Sequence, residues 1–274
     1  MKNNITQETT SLYKTKPVQL APGLEIGGDT IISMVGPCSV ESFEQTHEIG
    51  RVVSSLGIRV LRGGAFKPRT SPFAFQGLGE EGLHILSAVA KEFGLLVVTE
   101  AMSVEQIPLV SEYSDIIQIG SRNMQHFPLL WAAGEADRPV LLKRGFMSTV
   151  EEWLMAAEHI AQKGNEKIIL CERGIRGFDP STRNVLDTAS IALAKKLSPF
   201  PVIADPSHAT GRADLVLPAA RAAVAAGADG LLLEVHPTPS KALSDADQAL
   251  SLDSLEEFTQ QVGQVARALS RELV

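Results

Sequence analysis

The stretch that decides the fold is PVLLKRG (139–145), TVEEWLMAAEHIAQKG (149–164) and KIILCERG (167–174). The first and third segments are continuous apolar runs, which is typical of parallel strands buried on both faces. The middle segment places apolar residues at helical spacing and stops at a glycine. Together they predict a strand, a helix and a second strand parallel to the first.

The same alternation extends in both directions along the chain. The other apolar runs are IISMVG (31–36), IRVLRG (58–63), LLVVTE (95–100), IIQIG (116–120), PVIADPSH (201–208) and GLLLEVHP (230–237). Segments of helical pattern lie between them, for example 42–57, 79–94 and 214–229. Eight βα units in 274 residues predict an α/β fold, a (β/α)8 TIM barrel. Periodicity alone leaves an open doubly wound sheet as the alternative.

The residues before the first barrel strand are less clearly patterned. We expect residues 1–20 to form a loose arm or a contact with another subunit, and GLEIGGDT (23–30) to form a small hairpin at the bottom of the barrel. The predicted organisation is therefore an arm and hairpin over 1–30 and a single catalytic barrel over 31–274. No internal repeat or low-complexity tract in the sequence indicates a second domain.

Composition excludes several classes of function. A formal net charge of -7 and a pI near 5.4 argue against a sequence-independent nucleic-acid binder. The sequence has no apolar run of the roughly 18 residues that a membrane span needs, and its polar N-terminus lacks the apolar stretch of a secretory signal. Two cysteines do not make a disulfide framework. We expect a cytoplasmic protein without nucleic-acid or membrane partners.

Cationic side chains follow several of the apolar runs. In a (β/α)8 barrel the active site lies at the carboxyl ends of the strands, so these side chains should meet at one mouth. The cations at these positions are Arg62, Lys67, Arg69, Arg122, Lys143 and Arg173. In an acidic protein such a cluster predicts a substrate with several negative charges, phosphate or carboxylate. The alternative is a purely structural role, in which Lys143 and Arg173 form ion pairs, for example with Glu172.

A second set of strand-end residues combines a thiol, an imidazole and two carboxylates: Cys38, His208, Glu234 and Asp245. These groups suit a borderline transition ion such as Mn, Fe, Co or Zn. Their spacing alone is a weak signal, because no pair falls within the short intervals of a zinc finger. Taken singly, Cys38 could be a buried small hydrophobe and Asp245 a cap or a surface acid.

Seven ordered segments resemble one known family. They are GPCSVES (36–42), LRGGAFKPRTSPFAFQGLGEEGL (61–83), QIGSRNMQHFPLL (118–130), LLKRGFMSTVEEW (141–153), ILCERGIRGF (169–178), ADPSHATGR (204–212) and EVHPTPSKALSDADQAL (234–250). They are similar to the short type I form of 3-deoxy-7-phosphoheptulonate (DAHP) synthase, which shares its barrel with 3-deoxy-octulosonate-8-phosphate synthase. The resemblance implies an aldol-type condensation of phosphoenolpyruvate with erythrose 4-phosphate at the start of aromatic amino acid biosynthesis.

One motif separates the two activities of this superfamily. KPRTS (67–71) resembles the form that accompanies erythrose 4-phosphate, whereas the octulosonate enzymes, which use arabinose 5-phosphate, carry an Asn-Arg-Ser-Ser type of segment there. The octulosonate activity remains the alternative within the class. A catalytically silent barrel that keeps its anion sites is the alternative from another class.

The resemblance also implies residue roles. A divalent metal would be bound by Cys38, His208, Glu234 and Asp245, and relatives without a metal carry Asn in place of Cys38. Phosphoenolpyruvate would be bound by Arg62, Lys67, Ser121, Arg122, Lys143 and Arg173, and erythrose 4-phosphate by Pro68, Arg69, Thr70 and Ser71. Glu100 would orient a water, and Lys67, Cys38 and His208 would be the catalytic residues.

The family also gives expectations for the oligomeric state of the protein and for its feedback regulation. The resemblance implies a homo-oligomer, a tetramer or a dimer. Since the chain has no room for the regulatory domains that many members carry, we expect weak feedback inhibition by aromatic amino acids.

Overall fold

The structure, a computed structural model, describes residues 13–69 and 71–274. Its strands are β1 (Val18–Ala21), β2 (Leu24–Ile26), β3 (Thr30–Gly36), β4 (Val60–Arg62), β5 (Leu96–Ala101), β6 (Ile116–Ile119), β7 (Val140–Lys143), β8 (Ile168–Glu172), β9 (Val202–Ala204), β10 (Gly230–His236), β11 (Leu250–Ser251) and β12 (Glu272–Leu273). Its α-helices are α1 (Phe43–Ser55), α2 (Glu80–Phe93), α3 (Gln106–Tyr113), α4 (Phe127–Glu135), α5 (Val150–Ala161), α6 (Thr188–Leu197), α7 (Pro206–Thr210), α8 (Ala213–Ala225) and α9 (Leu255–Ala268).

The strands from β3 to β10 form a closed parallel barrel. Each pairs with the next along the chain, and β10 returns to pair with β3, from Gly230 opposite Ile32 to Glu234 opposite Gly36. Closure removes the open-sheet alternative and confirms the predicted (β/α)8 fold. Each barrel strand overlaps one of the eight apolar runs. Within the described part of the chain, no helix combines the length and apolarity that a bilayer span requires.

Side chains alternate between two apolar layers, which explains why the strands appear as continuous apolar runs. In β8, Ile169 and Cys171 belong to the layer inside the barrel, whereas Ile168 and Leu170 belong to the layer between strands and helices. Both layers are buried, so the side chains on both faces of each strand are apolar. The polar residues are thereby displaced to the strand ends and loops.

A hairpin closes the amino end of the barrel. β1 and β2 are antiparallel, with Val18 opposite Ile26. Both side chains are buried in the layer inside the barrel, and Ile26 reaches the start of β10, where a Cβ on Gly230 would lie 3.3 Å from its Cδ1. The predicted hairpin segment 23–30 thus contains β2 only, because the first strand begins at Val18. Of the predicted arm, residues 1–12 lie outside the described residues.

Local capping fixes the helices that follow the strands. Thr149 and Glu152 form a reciprocal capping box at the start of α5, which satisfies amide groups that would otherwise lack partners. The Asp187 side chain accepts from the backbone N–H of Ser190 at the start of α6. α2 ends at Gly94 in the left-handed conformation, with φ of 64°. The caps of α5 and α6 therefore fix the points at which the loops after β7 and β8 enter their helices.

Candidate active site

Four potential metal ligands meet at the carboxyl end of the barrel: Cys38 in the loop after β3, His208 in α7, Glu234 in β10 and Asp245 in the following loop. Their ligand atoms all lie within 4.8 Å of one another. The Cys38 Sγ lies 3.2 Å from Asp245 Oδ2, and His208 Nε2 lies 3.3 Å from Glu234 Oε1. Asp245 holds a positive φ of 51°, a conformation that Asp tolerates better than most residues and that is often found at functional sites.

The protonation states of the side chains in this cluster favour the binding of a metal cation. Burial lowers the pKa of His208 to about 4, so its imidazole is neutral at physiological pH. Its Nδ1 lies 2.7 Å from Oδ2 of Asp205, whose pKa is held well below its usual value against the effect of burial by His208 and Lys143. Nδ1 therefore carries the proton, and the Nε2 lone pair faces a Glu234 oxygen. Two facing acceptors repel each other, and a cation between them would relieve the repulsion.

The thiol and carboxylates complete a donor set suited to a transition metal. Burial and the nearby charge of Glu234 raise the pKa of Cys38 to about 12. Burial would raise the pKa of Asp245, but the neighbouring His208 and the positive charge of Arg183 lower it below its usual value. A bound cation would favour the thiolate, as metal ions do for coordinating cysteines. Sulfur, nitrogen and oxygen ligands together suit a borderline ion rather than Mg²⁺ or Ca²⁺.

Buried neighbours hold the ligand side chains in place. Arg62 Nη1 donates to Glu234 Oε1 at 2.8 Å and to the carbonyl of Pro37 at 2.7 Å. Gln248 Nε2 donates to the other oxygen of Glu234. Lys67 Nζ donates to the backbone oxygen of Cys38 at 2.8 Å and approaches its sulfur at 3.1 Å. The cluster is thus positioned before any ion arrives.

A cleft of about 510 Å³ opens beside the cluster and shares His208 and Asp245 with it. Among its lining residues are eight of the predicted site residues: Lys67, Pro68, Arg69, Glu100, Ser121, Arg122, Lys143 and Arg173. The cations predicted at separate strand ends are therefore gathered at one mouth, with Arg62 as the exception. Such a mouth attracts anions.

Two buried donors in this cleft have no hydrogen-bond partner among the described residues. They are the Oγ of Ser121 and Nη1 of Arg173, whose side chain is almost fully buried. The Arg173 guanidinium lies 4.7 Å from the ring centroid of Phe146, and Arg122 faces the same ring at 5.5 Å. Burial lowers the pKa of Arg173, which shows how poorly its charge is solvated. Because unsatisfied buried donors are costly, this corner is suited to an anion with several oxygens.

Glu100 lies on the strand next to Ser121, where Gly120 makes room for it. A Cβ on Gly120 would lie 2.0 Å from Glu100 Oε1, so no other residue fits there without movement. Gln118 Nε2 donates to the second oxygen of Glu100 at 3.1 Å. The carboxylate is held against the cleft and can accept a hydrogen bond from a water or a substrate hydroxyl.

Other predicted residues lie away from the cleft. Arg62 is buried behind Glu234 and does not line the cleft. Ser71 is exposed, and its hydroxyl accepts from the backbone N–H of Phe73. Thr70 lies outside the described residues. The ion pair considered between Glu172 and Lys143 or Arg173 is made instead by Arg144, at 2.9 Å.

Three further residues belong to the site but received no role from the sequence. Asp205 contacts both His208 and Lys143. Phe146 is the aromatic surface on which the arginines lie. Ser244 accepts from Arg69 Nη1 at 2.7 Å and lies 3.1 Å from the Cys38 sulfur. Asp205 directly follows β9 and Phe146 lies three residues after the end of β7, and a position just past a barrel strand was the available signal.

Fold and site together define a class, the barrel enzymes that act on small anionic substrates beside a candidate metal centre. Within this class the chain belongs to the DAHP synthetase I family, whose model matches residues 7–271. The family predicted from the seven motifs is thereby confirmed, and with it the predicted enzyme class of a phosphoenolpyruvate-condensing synthase.

Individual relatives agree with this membership. Phospho-2-dehydro-3-deoxyheptonate aldolase of Thermotoga maritima is 53% identical over 90% of this chain and 73% of its own length. The crystal structure of that DAHP synthase superposes with a TM-score of 0.92 at 50% identity, covering 95% of this chain and 76% of that one. A truncated form gives 0.90 at 49% identity, covering 95% and 96%. A 2-dehydro-3-deoxyphosphooctonate aldolase of Syntrophotalea carbinolica is 34% identical over 84% of this chain and 89% of its own length.

Proposed function

We propose that this protein condenses phosphoenolpyruvate with D-erythrose 4-phosphate and water to give 3-deoxy-D-arabino-heptulosonate 7-phosphate and phosphate. The observation that carries the proposal is the pair of unpartnered buried donors, Ser121 Oγ and Arg173 Nη1, in the same cleft as the cluster of potential metal ligands. The octulosonate activity is less well supported, because the relatives with that activity share far less identity.

The phosphoenolpyruvate phosphate would bind at the unpartnered donors. Ser121 Oγ and Arg173 Nη1 supply donors that no group in residues 13–69 and 71–274 uses, and Arg122 and Lys143 add charge beside them. Lys67 lies between this wall and Cys38, where it can contact the carboxylate. Arg62 would act indirectly, because it does not line the cleft and its Nη1 donates to Glu234 and to the Pro37 carbonyl.

The aldose phosphate would bind at the KPRTS segment. Arg69 lines the cleft and is held by Ser244, and Pro68 lies beside it. Thr70 and Ser71 would add hydroxyl donors once the substrate is bound. This arrangement would direct the aldehyde end of the sugar toward the cluster.

Cys38, His208, Glu234 and Asp245 would hold a divalent ion, Mn, Fe, Co or Zn. When bound, this ion would polarise the aldehyde of erythrose 4-phosphate and make its carbon more electrophilic. C3 of phosphoenolpyruvate then forms the new C–C bond, and the aldehyde oxygen becomes a hydroxyl. Water adds at C2, and cleavage of the C–O bond releases phosphate.

The chain's own groups are arranged in advance for these steps. Lys67, Lys143 and Arg173 are held in place around the cleft, so they can stabilise the charges of the reacting groups without reorganisation. Glu100, supported by Gln118, would orient the water. Orientation of two anionic substrates in one cleft should account for much of the rate.

The cellular setting is part of the proposal. A biosynthetic condensation of phosphorylated intermediates fits the cytoplasm, and a homo-oligomer fits the family. Chromatography with light scattering would determine the number of subunits.

The decisive assay follows phosphoenolpyruvate consumption with erythrose 4-phosphate and, separately, with arabinose 5-phosphate, each with and without a chelator. We expect turnover with erythrose 4-phosphate, loss on chelation and recovery when a divalent metal is restored. Preference for arabinose 5-phosphate would establish the octulosonate activity. A folded protein inactive with both sugars under every metal condition would be a silent barrel.

A further inference from the structure

Asp205 joins the two halves of the site through a single oxygen atom. Its side chain is completely buried at the end of β9. The Oδ2 atom lies 2.6 Å from Lys143 Nζ and 2.7 Å from His208 Nδ1. The Oδ1 atom accepts the backbone N–H of His208 at 2.9 Å. One carboxylate oxygen thus bridges a cation of the cleft wall and the imidazole of the candidate metal cluster.

The two oxygens of this carboxylate serve different purposes. Oδ1 caps the short helix α7, which is a structural role. Oδ2 contacts only groups of the site, and both are donors. A residue needed solely for the fold would require Oδ1 alone. The bridging contacts of Oδ2 are therefore unexplained by the cap.

We propose that Asp205 is a positioning residue that couples metal binding to phosphoenolpyruvate binding. The inference rests on the proposed function, because it takes His208 as a metal ligand and Lys143 as a substrate contact. Asp205 would keep the proton on Nδ1, so that Nε2 faces the metal, and would hold the Lys143 ammonium at the cleft wall. Carboxylates behind ligating histidines commonly have the first of these roles.

Metal binding and phosphoenolpyruvate binding would be coupled because His208 and Lys143 share one acceptor, Asp205 Oδ2. A cation on Nε2 withdraws electron density from the ring, which makes Nδ1–H a stronger donor to Asp205 Oδ2. The oxygen then holds Lys143 less tightly, and the ammonium is freer to bind an incoming anion. Linkage requires the reverse effect with the same magnitude, so phosphoenolpyruvate must also tighten metal binding.

Asp205→Asn separates the two roles. The amide oxygen can replace Oδ1 at the cap, but the amide nitrogen would place a donor against Lys143 and His208 Nδ1. The experiment would measure, by calorimetry, the Kd of Mn²⁺ and the Kd of phosphoenolpyruvate with and without Mn²⁺. In the variant we expect the Mn²⁺ Kd to rise about 10- to 100-fold, as for other partners of ligating histidines. The phosphoenolpyruvate Kd should rise too, because the amide nitrogen displaces the Lys143 ammonium from its position at the cleft wall, and Mn²⁺ should no longer tighten it.

Asp229→Asn is the matched control. Asp229 is also a buried aspartate with two cationic partners, Lys195 at 2.5 Å and Arg271 at 3.0 Å, but it precedes β10 at the opposite end of the barrel. Its loss should lower the melting temperature and leave both Kd values unchanged. Equal changes in both Kd values for the two variants would show general damage and overturn the inference.

The possible results separate this inference from the proposed function. Wild-type protein that binds neither Mn²⁺ nor phosphoenolpyruvate would contradict the proposed function itself. Wild-type protein that binds both, with Asp205→Asn unchanged or still coupled, would contradict only the role of Asp205. If Asp205→Asn does not fold, Asp205→Glu takes its place, because it keeps the charge but displaces Oδ2. Unaltered binding and coupling in that variant would equally overturn the inference.

Discussion

Arg144 donates to Glu172 at 2.9 Å, whereas the residue before Arg144 and the residue after Glu172 both line the cleft. Lys143 and Arg173 thus face the cleft, and Arg144 and Glu172 face away from it. Arg144 also reaches Asp187, the cap of α6, at 3.1 Å. The division shows how two adjacent cations at the end of one strand can have different surroundings, one at the cleft and one in a buried ion pair of the fold.

Removing Arg144 should destabilise the fold. In Arg144→Met the buried Glu172 carboxylate loses its cation, and breaking such a pair costs about 3–5 kcal/mol. Urea unfolding measures the loss. Arg144→Met/Glu172→Gln should recover part of it, because no unpaired charge remains while Gln can still accept from the Gly174 amide. A double variant less stable than the single one would contradict this role.

The two cysteines should respond differently to replacement. Cys38→Ala removes the sulfur of the candidate metal cluster, so metal content and condensation activity should both fall to background. Cys171→Ala is the control, since Cys171 is also a buried free thiol but packs inside the barrel. It should retain metal, measured by elemental analysis, and activity. Full activity of a metal-free preparation would refute the role of the ion.

Ser121→Ala should weaken substrate binding without weakening the fold. Its buried hydroxyl has no partner in the part of the chain that the structure describes, so we expect folding to lose no hydrogen bond. A hydrogen bond to a charged phosphate contributes about 1.5–3 kcal/mol, which predicts a rise in the phosphoenolpyruvate KM of about 10- to 100-fold. Ser114→Ala provides the contrast, because Ser114 Oγ donates to Val110 O. That variant should lose stability and keep its KM.

Arg69→Ala should affect one substrate. Loss of its charge-assisted contact predicts a rise of about 10- to 100-fold in the KM for erythrose 4-phosphate, with a smaller change for phosphoenolpyruvate. Steady-state kinetics with each substrate varied in turn gives both constants. Arg212→Ala, at an exposed surface ion pair with Asp214, should change neither. Equal losses for both substrates in Arg69→Ala would contradict the assignment.

Ile26→Ala should test the hairpin at the amino end of the barrel. Ile26 is fully buried in the layer inside the barrel, and truncation of such a side chain costs about 2–5 kcal/mol. Denaturant unfolding should show this loss, while both KM values remain unchanged because the cleft lies at the other end. An altered KM at full folding would indicate that the hairpin affects the site.

The strands were predictable because barrel strands have apolar neighbours on both sides. IIQIG (116–120) and PVLLKRG (139–145) needed no partner to be recognised, since every position within β6 and β7 is buried. The hairpin was less predictable. Its first strand is short and partly exposed, so Val18 and its neighbours showed no such run.

The site was predictable in position but not in contacts. Residues at strand ends must meet at one mouth, which placed Lys67, Lys143 and Arg173 together. Side chains alternate along a strand, so which of two adjacent residues faces the mouth depends on the residue at which the strand ends. The sequence does not fix that residue. For that reason the partner of Glu172 and the position of Arg62 behind Glu234 became visible only in the structure.

The hairpin that fills the amino end of the barrel also limits where substrates and products can enter and leave. Val18, Leu24 and Ile26 are packed into the barrel there and, among the described residues, fill that end. Substrates and products must exchange through the mouth lined by Lys67, Arg69 and Arg122. The phosphate set free from phosphoenolpyruvate leaves past the same cations that attract the next substrate. Its departure therefore competes with reloading, and accumulated phosphate should slow the cycle.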